Sequence, residues 1–150
     1  MSARPGRRVG RRARGDRGSG SAAVLLFAVL FLALAAFVID GGLSLAQRER
    51  AADIAEQAAR YAAQDLDVEA IREGRDDAPL NYRNCGRRVA AYVREAGLSG
   101  PDAAASHCRS ADTERVEVEV QLTYRPVLTG LFYDGAITVR GTSTAESRTG

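Results

Sequence analysis

The chain has no lysine, one histidine (His107) and two cysteines, and from Gly18 to Ile39 it has no charged residue. Each shortage removes a class of function. There is no HExxH, no GxSxG and no glycine-rich phosphate loop, so no recognised catalytic motif is present. His107 in a polar loop reads as a surface residue. Beside Cys108, and with Cys85 23 positions away, it gives no metal-ligand spacing. Glu117 and Glu119 alternate with apolar residues, which suits the wet face of a strand. The expectation is a protein that is not an enzyme and holds no cofactor.

Charge is short on one side of the apolar run and dense on the other. Residues 1–20 carry Arg4, Arg7, Arg8, Arg11, Arg12, Arg14 and Arg17 against Asp16, a sum of +6. The whole 150-residue chain sums to +2, so the remainder carries −4. A nucleic-acid binder more often concentrates its basic residues on the folded part. Basic arms bind nucleic acid in some proteins, but no nucleic acid is expected as a partner here.

The apolar run holds Leu25, Leu26, Phe27, Leu30, Phe31, Leu32, Leu34, Phe37 and Ile39, without proline. From Ser21 to Ile39 it approaches the ~20 residues that span a bilayer core. A helix is the one single segment that satisfies its own backbone in lipid. Asp40 would stand at the interface. In the comparable stretch on the far side only Arg48, Arg50 and Arg60 face the seven leader arginines, so the positive-inside tendency puts the leader in the cytoplasm and the body outside. Two other readings compete. Ala33-Leu34-Ala35 suits signal-peptide cleavage, although Ala36-Phe37-Val38-Ile39 stays apolar beyond it. A buried helix would need a large apolar surround that the rest of the chain lacks.

After Gly41-Gly42 the text "LSLAQRERAADIAEQAARYAAQDLDVEAIREG" is helical by propensity. Leu43, Ala51, Ile54, Ala58, Tyr61 and Leu66 recur near the helical period. The glycine pair is expected to bend or loosen the helix without ending it. Ala51, Ala55, Ala59 and Ala63 form an i, i+4 row. Such a row suits the close approach of a partner helix, or simply reflects alanine's helix propensity. Residues 72–84 read as a loop, with Gly74 and Pro79 as breakers. Tyr82–Ala96 reads as a second helix with Cys85, Val89, Tyr92, Val93 and Ala96 on one face and Gly97 as its stop. Residues 97–112 read as a loop.

The period then becomes two. Val116, Val118, Val120, Leu122 and Tyr124 alternate with polar residues, a half-buried strand that Pro126 ends. The stretch "VLTGLFYDG", with Val127, Leu128, Leu131, Phe132 and Tyr133, caps the core, dips into the membrane surface or meets a partner. Ile137 and Val139 mark a second strand, antiparallel to the first. The fold expected is α+β: one transmembrane helix continuing into an alanine-rich helix, then a short helix and a small antiparallel sheet. The divisions are a basic leader 1–20, an anchor 21–39, an extracytoplasmic domain 40–145 and a flexible tail 146–150. Outside the membrane, Cys85 and Cys108 would form a disulfide. The alternatives are two free thiols or a bond to another chain.

The order of Arg17-Gly18-Ser19, an anchor, Asp40-Gly41 and Ala51-Ala52-Asp53 through Ala63 resembles the TadE/TadG-like pilus-assembly proteins, and the TadG-like N-terminal region in particular. The resemblance covers about residues 14–64. It implies a bitopic protein with a pilin-like layout in an Flp-type (tight adherence) pilus or related secretion apparatus. Its implied partners are the lipid bilayer and other pilus or secretion-system subunits, and homo-oligomerisation stays open. Some relatives are cut by a prepilin peptidase after a glycine, with glutamate at the fifth mature position. Here that position is Ala23 after Gly18, or Leu25 after Gly20, and the anchor has no glutamate. The expected role is structural. The competing roles are a membrane-tethered binding module, or a secreted protein if the chain is cleaved near Ala35.

Overall fold

From Gly18 the chain meets no proline until Pro79, and alanine and leucine dominate, so a helix is the cheapest backbone. The computed structural model of this chain describes residues 19–74, 79–131 and 134–147. Residues 1–18 of the expected leader, the apolar Phe132 and Tyr133, and tail residues 148–150 lie outside the described residues. The first element is α1, Ser19–Ala63, 45 residues long. It runs through Gly41 and Gly42, each costing about 1 kcal/mol against alanine. A Cβ at either glycine would meet nothing within 4 Å, and nothing in the structure explains the pair.

The chain divides into two compact units, Met1–Ala35 and Ala36–Gly150. In the first, every residue from Gly20 to Leu34 is exposed. Leucine and phenylalanine point outward on all sides, with no core of their own. Among the described residues, α1 is the one helix long and apolar enough to cross a membrane.

The second unit holds the rest of α1, then α2 (Val68–Arg72), α3 (Cys85–Glu95), α4 (Gly100–Ala105), β1 (His107–Ala111), β2 (Arg115–Tyr124) and β3 (Ile137–Glu146). The helical text after Gly42 does not stay one helix. Asp65 and Asp67 end it, because short acidic side chains compete for backbone donors. The Asp67 carboxylate accepts from Glu69 N and Ala70 N at the start of α2. That of Asp65 accepts from Asn84 Nδ2 at 2.8 Å. The second expected helix begins as a turn over Tyr82–Asn84 and becomes α3 at Cys85. Gly97 stops it at φ 77°. Leu98 N donates to Val93 O and Gly97 N to Arg94 O, the Schellman pattern that needs a left-handed residue.

The sheet has order β1-β2-β3, all antiparallel. β2 and β3 pair without interruption from Arg115↔Glu146 to Tyr124↔Ile137. β1 pairs with β2 from His107↔Glu119 to Ala111↔Val116, with an irregularity between Cys108 and Ser110. Residues 97–112, expected as a loop, thus hold α4 and β1. The strand His107-Cys108-Arg109-Ser110-Ala111 has no apolar alternation and buries little, so it leaves no periodic signal.

Val116, Val118, Val120 and Leu122 of β2 are buried against α1 and α3, with Val139, Val89, Val93 and Ile54. Each such side chain is worth about 1.5–3 kcal/mol when fully buried. Ala51, Ala55 and Ala59 are in this core with no exposure, and Ala63 packs partly buried at its edge. The alanine row is therefore filled from within the chain, not left open for a partner helix. The close approach is to β3. A Cβ on Gly141 would stand 2.6 Å from Ala52 Cα, and closer still to Ala52 N and Ala51 C. On the other face Arg109 reaches Glu117 and Glu119 at 3.5 and 3.7 Å, and Arg140 reaches Glu119 at 3.4 Å. These half-exposed pairs add little stability.

α3 is tied down twice. The Arg88 guanidinium lies 3.9 Å over the Tyr61 ring and donates to the Tyr61 carbonyl at 2.9 Å. Cys85 and Cys108 are joined, which links the start of α3 to β1.

Three outcomes follow from this packing. Gly141→Ala forces two backbones apart, and thermal unfolding of the chain in detergent should show a loss of about 3 kcal/mol, the upper end of overpacking costs. Replacing both cysteines by alanine should cost roughly 3 kcal/mol, the chain-entropy value for a closed loop of this length, read by denaturant unfolding. A paired Cys85 and Cys108 should resist alkylation until the protein is reduced.

Candidate functional site at the outer end of the anchor

Asp40 is the first charged residue after the apolar run. Its carboxylate does not stand free. Oδ1 accepts from Val127 N at 2.9 Å and Leu128 N at 3.2 Å, and Oδ2 accepts from Thr129 N at 2.6 Å. Three successive amides leave a turn after β2 and converge on one anion, the arrangement of a backbone nest. The Thr129 amide chiefly, then the Thr129 hydroxyl and the other two amides, outweigh the opposing effect of burial. They lower the Asp40 pKa from 3.8 to about 2. Hydrogen bonds to the charged form favour that form.

The segment entering this turn is held by a second carboxylate. β1 stops opposite Glu119, so the amides of Gln121 and Thr123 need other acceptors. The Ser106 hydroxyl accepts from Gln121 N at 3.0 Å. Asp102 on α4 accepts from Thr123 N at 3.0 Å and from the Thr123 hydroxyl at 2.7 Å. It also accepts from the Ser99 hydroxyl, and Ser99 in turn caps α4 by accepting from Asp102 N. Asp102 is only 4% exposed. Burial would raise its pKa, but the Thr123 and Ser99 bonds prevail and hold it below the ordinary 3.8. Side chains here extend the edge that β1 leaves short. Arg125 and Asp134, both well exposed, pair at 3.7 Å within the β2–β3 connection.

Of the residues singled out in the sequence, Ser21 and Ile39 lie on α1, both exposed. Cys85 and Cys108 meet, and the alanine row lies under the sheet. Asp102 was missed. Its signal was present in Ser99-Gly100-Pro101-Asp102, a cap, a first-turn proline and an acid, the pattern of a helix start. The partners of Asp40 left no local signal, being 87 to 89 positions away. Among the described residues no cluster of three or more His, Cys, Asp or Glu could hold a metal ion.

One unbroken helix therefore carries, in order, an uncovered apolar half, an aspartate that clamps a distant turn, and an alanine row that roots a domain. Residues 18–65 match the Tad family model, Flp pilus-assembly TadE/G-like. No curated protein and no solved structure matches the chain. The TadE/G-like segment takes in all of α1 but its loop partners lie beyond it: α2 to β3, and with them the turn at Val127–Thr129, fall outside the match. The match points to Flp pilus assembly in association with other pilus-assembly subunits, and to α1 as a membrane anchor.

In a depressed-pKa carboxylate the charged form stabilises the fold. The clamp is complete above about pH 4 and is lost as pH falls from 3.8 toward about 2. Hydrogen exchange corrected for intrinsic rates should show protection of the Val127, Leu128 and Thr129 amides falling over that window. Asp40→Ala should remove the same protection at neutral pH while leaving the β2–β3 amides protected.

Proposed function

We propose that this chain is a bitopic membrane protein with a structural role in assembling an Flp-type pilus or related secretion apparatus. The carrying observation is α1 itself: among the described residues nothing buries the leucines and phenylalanines of its first half, and the helix lies in a TadE/G-like segment. The divisions proposed are a leader to residue 20, an anchor over 21–39, a domain over 40–145 and a short tail. The arginine-rich leader lies in the cytoplasm and the α+β domain outside. The Cys85–Cys108 bond suits an oxidising compartment. The chemistry is non-covalent.

With the alanine row covered, a surface open to other subunits is the free edge of β3. Gln121 N and Thr123 N turn away from β3, so in β2 it is the alternate residues, Val120 and Leu122, that exchange bonds with Gly141 and Val139. The amides of Thr138, Arg140, Thr142 and Thr144 then face outward. Ten paired residues run without a bulge or a proline, two of the usual protections of an edge. Beside its far end lies a groove of about 890 Å³ between Glu56, Arg60 and Ala63 of α1 and Ser143–Ser147. Homo-oligomers and hetero-complexes both fit an edge of this kind.

Protease added outside intact cells should digest the domain and spare the leader, and crosslinking in the envelope should capture pilus-assembly subunits. Thr142→Pro removes an outward amide without touching the β2 ladder. It should leave the melting temperature unchanged and cut the crosslinked yield by about tenfold, the loss of one hydrogen bond together with a steric block. Recovery of the chain alone with a bound small molecule would favour a tethered binding module. A soluble form beginning at Ala36 would favour a secreted protein.

A further inference from the structure

We infer that the turn Pro126–Thr129 is a second membrane contact of this chain, docked in the lipid headgroup layer by Asp40. The inference rests on the anchor reading and adds to it a site outside the TadE/G-like segment.

Position comes first. The apolar run ends at Ile39, and Asp40 follows. The headgroup layer extends about 5–8 Å beyond the hydrocarbon core on each side, which is four or five helical residues at about 1.5 Å each. Asp40 lies within that layer, and the Val127, Leu128 and Thr129 amides lie within 3.2 Å of its carboxylate. The opposite end of the domain is far from it: Ala63 ends α1 about 35 Å further along the axis, and α2 follows.

Chemistry agrees with position. An irregular turn is costly near lipid because its amides lose water. Here three amides are already satisfied by one carboxylate. Val127 is 61% exposed, while Leu128 and the preceding Pro126 are more covered. Ile137, 40% exposed, opens β3 at the same end of the sheet, opposite Tyr124. Among the described residues, Arg125 beside the turn pairs with an exposed aspartate at 3.7 Å, a weak pair that leaves its guanidinium available to lipid phosphate. An apolar side chain beside an arginine, next to the end of a membrane helix, fits a bilayer interface.

The chain contains no tryptophan, so a single introduced one reports its own depth. Full-length Leu30→Trp, Val127→Trp and Val68→Trp are placed in phosphatidylcholine–phosphatidylglycerol vesicles carrying brominated acyl chains. Leu30 lies in the anchor, and Val68, 56% exposed, opens α2 at the far end. Both exposed sites accept the larger ring without repacking. Leu30→Trp should be quenched by bromines at mid-chain. Val127→Trp should be quenched about twofold by bromines near the headgroup, as expected of an interfacial ring, and Val68→Trp should not be quenched. In an Asp40→Ala background, quenching of Val127→Trp should fall to the Val68→Trp level.

If Leu30→Trp is quenched and Val127→Trp behaves as Val68→Trp, the inference is overturned and the anchor stands. If Val127→Trp is shielded from aqueous quenchers yet untouched by bromine, protein covers the turn and the inference is again overturned. If all three are unquenched, the anchor reading fails and takes the inference with it. Quenching unchanged by Asp40→Ala overturns the docking role of Asp40.

Discussion

The backbone of β3 meets the backbone of α1 at Gly141, and the placement of the domain depends on that approach. It is open only to small residues. Ala51, Ala55 and Ala59 flatten one side of the helix, and Gly141 removes the side chain that would hold the strand away. With the sheet drawn in, the valines of β2 lose water and join the core. The same approach sets height along the helix. Gly141 stands at Ala52, and the strand end near Ile137 falls back toward the level of Asp40, some 18 Å along the axis from that contact.

The rest of the domain is an exercise in satisfying polar groups that the short sheet leaves over. β1 is too brief to pair the end of β2, so Ser106 and Asp102 take the amides of Gln121 and Thr123. The turn that follows has three amides pointing one way, and Asp40 takes them. Two carboxylates held in their charged form thus fix a segment of fewer than ten residues. Helix capping, edge completion and turn docking are one mechanism applied three times, a side-chain oxygen placed where a backbone donor has no partner.

That mechanism also joins the part of the chain that matches a known family to the part that does not. The TadE/G-like segment takes in the apolar half of α1, Asp40 and the alanine row. The remaining residues build the sheet that uses them. A domain rooted on its own helix covers the alanines of that helix from within the chain.

Much of this was legible in the sequence where the signal is local. The uncharged run from Gly18 to Ile39, the alternation in β2 and the helix stop at Gly97 are each written in neighbouring residues, because backbone propensity and side-chain period act over a few positions. These features settle the α+β class and the presence of a long apolar helix. What occupies the alanine row, where β1 runs, how Cys85 comes to Cys108, and which amides Asp40 accepts were decided only by the tertiary structure. Each is a pairing of segments distant in the chain, and the row, the strand and the carboxylate look the same locally whichever partner they find. The physical reason is that burial and hydrogen-bond satisfaction are settled by the whole fold, whereas periodicity is settled turn by turn and strand by strand.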